Sequence, residues 1–167
     1  MKYHRVHILP EAKDLREAAL FLVSSLLISH GARKDTIAIV QIEETWITAY
    51  GDKIRHLRPD QDSSEGWVKA VLYKGKHKKL GASISNTPII SLRDGYCVGY
   101  GIVRLKNIKD IIHLEIRDKS TLKFIYMDKL DDTCKESINL EVEMPRPLRP
   151  SLINIILDRI EAGLEPV

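Results

Sequence analysis

Arginine and lysine residues at spacings that suit a polyanion are the first chemistry this chain offers. Lys74, Lys76, Lys78 and Lys79 surround His77, and no acidic residue falls between Trp67 and Leu80. Arg33 and Lys34 follow Gly31, Arg55 and Arg58 bracket His56 and Leu57, and Arg146 and Arg149 stand among Pro145, Pro147 and Pro150. All three groups fall at the ends of expected helices or strands, where a scaffold commonly presents binding groups. Such side chains contact phosphate oxygens and supply affinity that does not depend on base sequence, so they are candidate RNA-binding residues. The competing reading of Lys74–Lys79 is a solvated loop, which is what most charge runs are.

Other chemistries have less support. There is no Gly-x-Gly-x-x-Gly after a strand, no Walker loop, no His-Glu-x-x-His and no Gly-x-Ser-x-Gly. His30, His56 and His113 are scattered, and His113 falls inside an apolar run, where a packed histidine is the simpler reading. Gly95, Gly99 and Gly101 read as a hairpin turn and close backbone contacts rather than a cofactor loop. Cys97 and Cys134 make no Cys-x-x-Cys or Cys/His metal spacing. They read as reduced thiols of a cytoplasmic protein, with a Cys97–Cys134 disulfide as the alternative.

The elements that must position these groups fit one α/β domain spanning all 167 residues. The 44% hydrophobic and 29% charged fractions are those of a folded chain, and a net charge of +3 is too mild to imply nucleic acid by itself. The longest apolar run, Ala18 to Val23, is far too short to span a membrane, so no membrane partner is expected. Pro10 suits the first position of a helix running to Ser29, with Gly31 as a left-handed stop. Thr36–Ile42 reads as a buried strand, and Trp46–Tyr50 with Lys53-Ile54 as a hairpin about Gly51-Asp52. Asp62 and Glu65 open a helix over Ser63–Tyr73. Strands are expected at Ile89-Ile90, Cys97–Leu105, Ile111–Ile116, Leu122–Met127 and Ile138–Val142, then a last amphipathic helix over Ser151–Glu161. The first and last helices carry more apolar surface than one sheet face needs. They are expected to pack together and extend into an interface through Ile156 and Ile160, which a homodimer would cover.

Phe21 through Asp35 (FLVSSLLISHGARKD), the strand after it, Arg55-His-Leu-Arg-Pro-Asp60 and the helix through Lys69-Ala-Val-Leu72 resemble the SPOUT superfamily. Within it they are most similar to the archaeal tRNA pseudouridine N1-methyltransferases, which carry FFLSH-x-x-R-x-D, a strand, then L-x-x-L-x-P-D-E-R-S and a lysine-bearing helix. Asn86-Thr-Pro-Ile-Ile90 resembles the family's S-T-P-G-I-Y-V, and Ile138–Leu140 through Leu152–Asp158 its final strand, loop and helix. The resemblance covers most of the chain in order and is weakest from Leu92 to Asp118. It implies a SPOUT-like sheet flanked by helices, a C-terminal trefoil knot, S-adenosylmethionine in the knot loops, a homodimer, and tRNA or rRNA across the basic surface.

The chain departs from the family where the cofactor would bind. The family's I-I-G-D-H-I-G is here Phe124-Ile-Tyr-Met-Asp-Lys-Leu130, which keeps the acid as Asp128, has neither glycine, and puts the Met127 and Leu130 side chains where the cofactor would lie. The later loop is stiffened by proline over Glu143–Pro150. The departures favour a binding protein without catalytic residues or cofactor, associated with the ribosome or contacting rRNA or tRNA. The alternative is an S-adenosylmethionine-dependent tRNA or rRNA methyltransferase with Asp128 at its cofactor. A globular protein with no RNA role is the third reading.

Overall fold

A β-branched run that is apolar on both alternating sides can be buried only where both faces of a sheet are covered. The computed structural model of the chain, which describes residues 3–99, 106–107, 121–128, 134, 136–140 and 142–164, has such a sheet at its centre. In chain order its elements begin with β1 (Arg5–Ala12), α1 (Leu15–Leu26), the two-residue strands β2 (Leu27–Ile28) and β3 (Gly31–Ala32), β4 (Thr36–Ile42) and β5 (Thr45–Tyr50). There follow α2 (Gln61–Tyr73), the one-turn α3 (His77–Leu80), β6 (Ala82–Ser85), β7 (Tyr96–Gly99) and β8 (Lys106–Asn107). The last are β9 (Leu122–Tyr126), β10 (Glu136–Asn139), a 3-10 turn at Arg146–Leu148 and α4 (Arg149–Glu161).

Eight strands form one sheet in the order β6-β5-β4-β1-β9-β7-β10-β8. The pairings from β4 through β8 are parallel, and β5 and β6 add an antiparallel edge. Side chains alternate across it. Val6, Ile8, Ile37, Ile39 and Ile125 pack on one face with Trp46 and Cys97. Leu9, Ala38, Val40, Phe124 and Tyr126 pack on the other with Phe21 and Leu22 of α1, Trp67, Val68 and Val71 of α2, and Ile153 and Leu157 of α4. The three long helices therefore share one face of the sheet. Each fully buried Leu, Ile or Phe there contributes roughly 1.5–3 kcal/mol.

Several expected boundaries move. Pro10 lies inside β1, where the register to β4 shifts between Leu9 and Ala12 and Glu11 takes a φ of 52°. Proline has no amide proton for the ladder, so it sits at this bulge. The first helix starts instead at Asp14, whose carboxylate accepts from the Glu17 amide at 2.8 Å. It ends at Leu26, and Gly31 pairs with Ile28 in the β2–β3 hairpin rather than forming a left-handed cap. Trp46–Tyr50 pairs with β4, not with Lys53-Ile54. Asp60, not Asp62, caps α2 through the Ser63 amide at 3.0 Å. Ile89-Ile90 is not a strand, and Tyr96–Gly99 lies between two parallel neighbours, so the turn before it is not a hairpin. The expected strand at Ile111–Ile116 with His113, and Gly101 and Leu130, lie outside the described residues.

The reading of the cysteines as reduced thiols is also corrected: Cys97 and Cys134 form a disulfide with their Cα atoms 5.6 Å apart. Cys97 is in β7, and Cys134 comes just before β10, which pairs with β7 in parallel. That pairing brings together residues distant in the chain. The first and last long helices do pack together: Ser24 and Ser151 hydroxyls lie 2.6 Å apart, and the Asn154 amide donates to the Ser25 carbonyl at 3.0 Å. Ile156 faces the core rather than an interface, whereas Ile155 is 48% exposed. No helix among the described residues is long and apolar enough to cross a membrane.

Candidate nucleic-acid interface

Two of the expected basic groups meet at the end of the sheet where β1 and β4 begin. Arg55 leaves the end of β5 with its amide bonded to the Leu80 carbonyl at 3.1 Å, and its own carbonyl accepts from the Trp67 indole at 2.9 Å. Arg55 is thus held between α2 and α3. The turn after α3 is clamped as well. Gly81 takes a φ of 79° and packs so closely on the Lys53 carbonyl that a Cβ could not be accommodated. Its own carbonyl accepts from the Tyr50 amide at 3.3 Å. The lysine run therefore leads from the cap of α2 at Lys74 into one helical turn bearing Lys78 and Lys79, whose end is fixed to the loop after β5. Lys74, Lys76, Lys78 and Lys79 are exposed, as are Arg55 and Arg58.

The Arg33-Lys34 group joins the same end. Gly51 has no room for a Cβ against the Arg33 carbonyl, and its amide donates to Thr36 at 2.9 Å. Lys34 is exposed. Arg33 instead holds Asp158 of α4 through two nitrogens at 2.9 Å each. Arg33, His56 and Arg58 rim a groove of about 810 Å³ whose apolar wall includes Val23, Leu27, Ile28, Leu57 and Ile155. Acids at this end are engaged. Asp52 accepts from the Tyr3 hydroxyl at 2.6 Å, and that tyrosine is pushed up to about 12 by burial and by the neighbouring carboxylate. At Asp158 burial opposes ionisation, yet hydrogen bonds from Arg33 and Arg5 outweigh it and hold the carboxyl below its ordinary value.

Arg146 and Arg149 do not join this surface. Arg146 donates to the Pro10 carbonyl at 3.1 Å and the Glu11 carbonyl at 2.9 Å, and pairs with Glu17 at 2.6 Å. Arg149 is 2% exposed and donates to the carbonyls of Met144 at 2.9 Å, Val98 at 3.3 Å and Met127 at 3.3 Å, with Asp128 at 3.6 Å. Arg149 is buried and Arg146 half-buried at the opposite end of the sheet. Their side chains are engaged within the protein, unlike those of Lys34, Arg55 and Arg58.

That opposite end carries a cleft of about 400 Å³ beside the ends of β1 and β9, lined by Lys13, Arg16, Glu17, Asp128, Glu143 and Pro145 among others. It lies where the chain order reverses across the sheet, the usual ligand position in open α/β folds. The S-adenosylmethionine implied by the resemblance fits it poorly. The carbonyls at the strand ends converge on the Arg149 guanidinium, where a nucleoside's donors would need them. No glycine is among the described residues that line the cleft. Met127 is not among the residues that line the cleft. Its sulfur lies 3.9 Å from Cys97, and it packs on the face away from the long helices.

A buried polar network that sequence reasoning missed lies between the two ends. Arg5, His7, Tyr126 and Asn154 are each at most 2% exposed. Arg5 donates to Asn154 Oδ1 at 3.2 Å and pairs with Asp158 at 2.7 Å. Because Asn154 Oδ1 accepts from Arg5, His7 Nε2 at 2.9 Å must be a donor. His7 Nδ1 then accepts from the Tyr126 hydroxyl at 2.6 Å. Burial, more than any neighbouring charge, pushes His7 down to about 3, so the ring is neutral. The only signal in the chain was a run of Arg5, Val6 and His7 whose polar members recur at the strand period.

Compared with known proteins, the chain matches no family model and no curated protein.

Proposed function

We propose that this protein is an RNA-binding protein of SPOUT type, with the C-terminal knot that this type implies, and that it works without S-adenosylmethionine. One observation carries the reading: Lys34, Arg55, Arg58 and the lysines of Lys74–Lys79 gather at one end of the sheet on backbone clamped by Gly51 and Gly81. Long cationic side chains on a rigid base suit a phosphate backbone, because less order must be imposed on binding. An rRNA or tRNA is the partner class, and association with the ribosome in the cytoplasm is the setting. A second copy of the chain over the groove at Ile28 and Ile155 would make the homodimer.

A specific observation favours a second reading, an S-adenosylmethionine-dependent RNA methyltransferase. The cleft beside Asp128 lies at the carboxyl ends of parallel strands, where α/β enzymes hold their ligands. One pair of measurements separates the two. RNA binding followed over a salt series should show log affinity falling linearly with log salt. Calorimetry with S-adenosylmethionine should show no heat at millimolar ligand. Salt-insensitive or absent RNA binding removes the first reading, and micromolar cofactor binding or methyl transfer to RNA establishes the second.

A further inference from the structure

Tyr73 ends α2 and is 68% exposed, the most exposed large hydrophobic side chain among the described residues. Its setting is unusual for a surface aromatic. Lys69 lies four residues earlier and therefore on the same face of α2. Lys74 caps the helix, and the Lys74 and Lys76 amides both return to the Ala70 carbonyl, at 3.3 and 3.2 Å. The chain thus folds back on the last turn of α2, which keeps the Lys76 backbone on that turn. None of these lysines has an ion pair or hydrogen bond from its side chain among the described residues.

A flat π-face among ammonium groups suits a nucleotide whose base is unstacked and whose flanking phosphates need counter-charge. A duplex could use the lysines but not the ring, because its bases are already stacked. We infer that Tyr73 is a stacking platform for an unpaired base, so that this end of the protein selects single-stranded or looped RNA over duplex RNA. The inference rests on the RNA reading above and adds the class of RNA.

The test measures binding of the full chain to a ten-nucleotide single-stranded RNA and to a duplex of matching length, by fluorescence anisotropy at several salt concentrations. Tyr73→Ala should weaken single-strand binding about tenfold, a typical loss for one base stack. It should leave duplex binding and the salt slope alone, while Tyr73→Phe should bind as the parent does. Because Tyr73 is exposed, the thermal midpoint of Tyr73→Ala should match the parent, which separates lost stacking from lost folding. Equal single-strand binding by Tyr73→Ala and the parent would overturn the platform, as would equal losses on both RNAs. If Lys76→Ala/Lys78→Ala/Lys79→Ala still weakens binding in that case, the RNA reading survives without the platform. If the parent binds neither RNA, both fall.

Discussion

The two ends of the sheet use cationic side chains in opposite ways. Where β1 and β9 finish, Arg149 and Arg146 turn inward and share out the carbonyls of Pro10, Glu11, Val98, Met127 and Met144. Where β1 and β4 begin, the order is reversed. Backbone hydrogen bonds and close glycine contacts hold the loops, and the lysine side chains extend into solvent. At the first end charge holds the protein together, because buried acceptors would otherwise lack partners. At the second, Arg5 and Arg33 hold Asp158, but the loops of Lys34, Arg55, Arg58 and Lys74–Lys79 are fixed by backbone contacts, which leaves those charges for a partner. Charge at a helix or strand end is therefore not by itself a binding signal; what distinguishes the ends is which groups the charges satisfy.

The largest effect should come from breaking the first end. Arg149→Met keeps an apolar stem but removes the guanidinium, leaving the carbonyls of Val98, Met127 and Met144 without its donors. Stability should fall by about 3 kcal/mol or more, read as a lower urea midpoint. RNA affinity of the folded protein should not change. A near-neutral variant would show that water can replace the guanidinium and that the contrast between the ends is false.

A smaller effect should come from the network between the ends. His7 is held neutral with its folded value pushed down to about 3, below the ordinary 6.5 that applies when unfolded. Protonation therefore favours the unfolded chain. His7 costs no stability above about pH 6.5, and stability is lost as pH falls from there toward pH 3, by about 2 kcal/mol at pH 5. Asp158, whose value is depressed, contributes stability above its ordinary value of 3.8 and loses it only below that pH. Its loss therefore begins lower than that of His7. Denaturation at pH 7 and pH 5 measures the difference, and His7→Gln should flatten it. An equal slope in the variant would assign the pH dependence elsewhere.

How much of this was legible in the residues follows the same division. Thr36–Ile42 has the bounds expected of it, because a β-branched run between polar residues has few other uses. The helix α2 starts two residues before its expected Ser63 and ends at Tyr73 as expected. The exposure of Lys74–Lys79 was also readable, since no acid nearby could neutralise four lysines. The inward turn of Arg149 was not. Its partners include backbone carbonyls of Val98, Met127 and Met144 beside the Asp128 carboxylate, and carbonyls leave no mark in a sequence. The Cys97–Cys134 bond was hidden for the same kind of reason, because it depends on β10 pairing with β7. Pro10 misled locally: proline suits a helix start and a strand bulge equally, and Asp14 with Glu17 was the better cap.

The smallest expected effect on stability sharpens the contrast most. Lys76, Lys78 and Lys79 are exposed, and α3 is held by the amide of Leu80 on the Lys76 carbonyl and by Gly81 on the Lys53 carbonyl, not by their side chains. Replacing all three with alanine should move stability by no more than about 0.5 kcal/mol in either direction. The same variant should lose up to about two units of log–log salt slope on single-stranded RNA, at about 0.7 for each phosphate contact removed. The loss should be nearly equal across RNA sequences, since phosphate contacts carry no base information. Arg146→Ala, at the other end, should leave the slope unchanged while lowering stability, because its partners are Glu17 and two carbonyls. If the lysine variant keeps the parental slope, or if Arg146→Ala reduces it, the two ends do not divide binding from structure. The cleft at the strand ends would then become the surface to which RNA must be assigned.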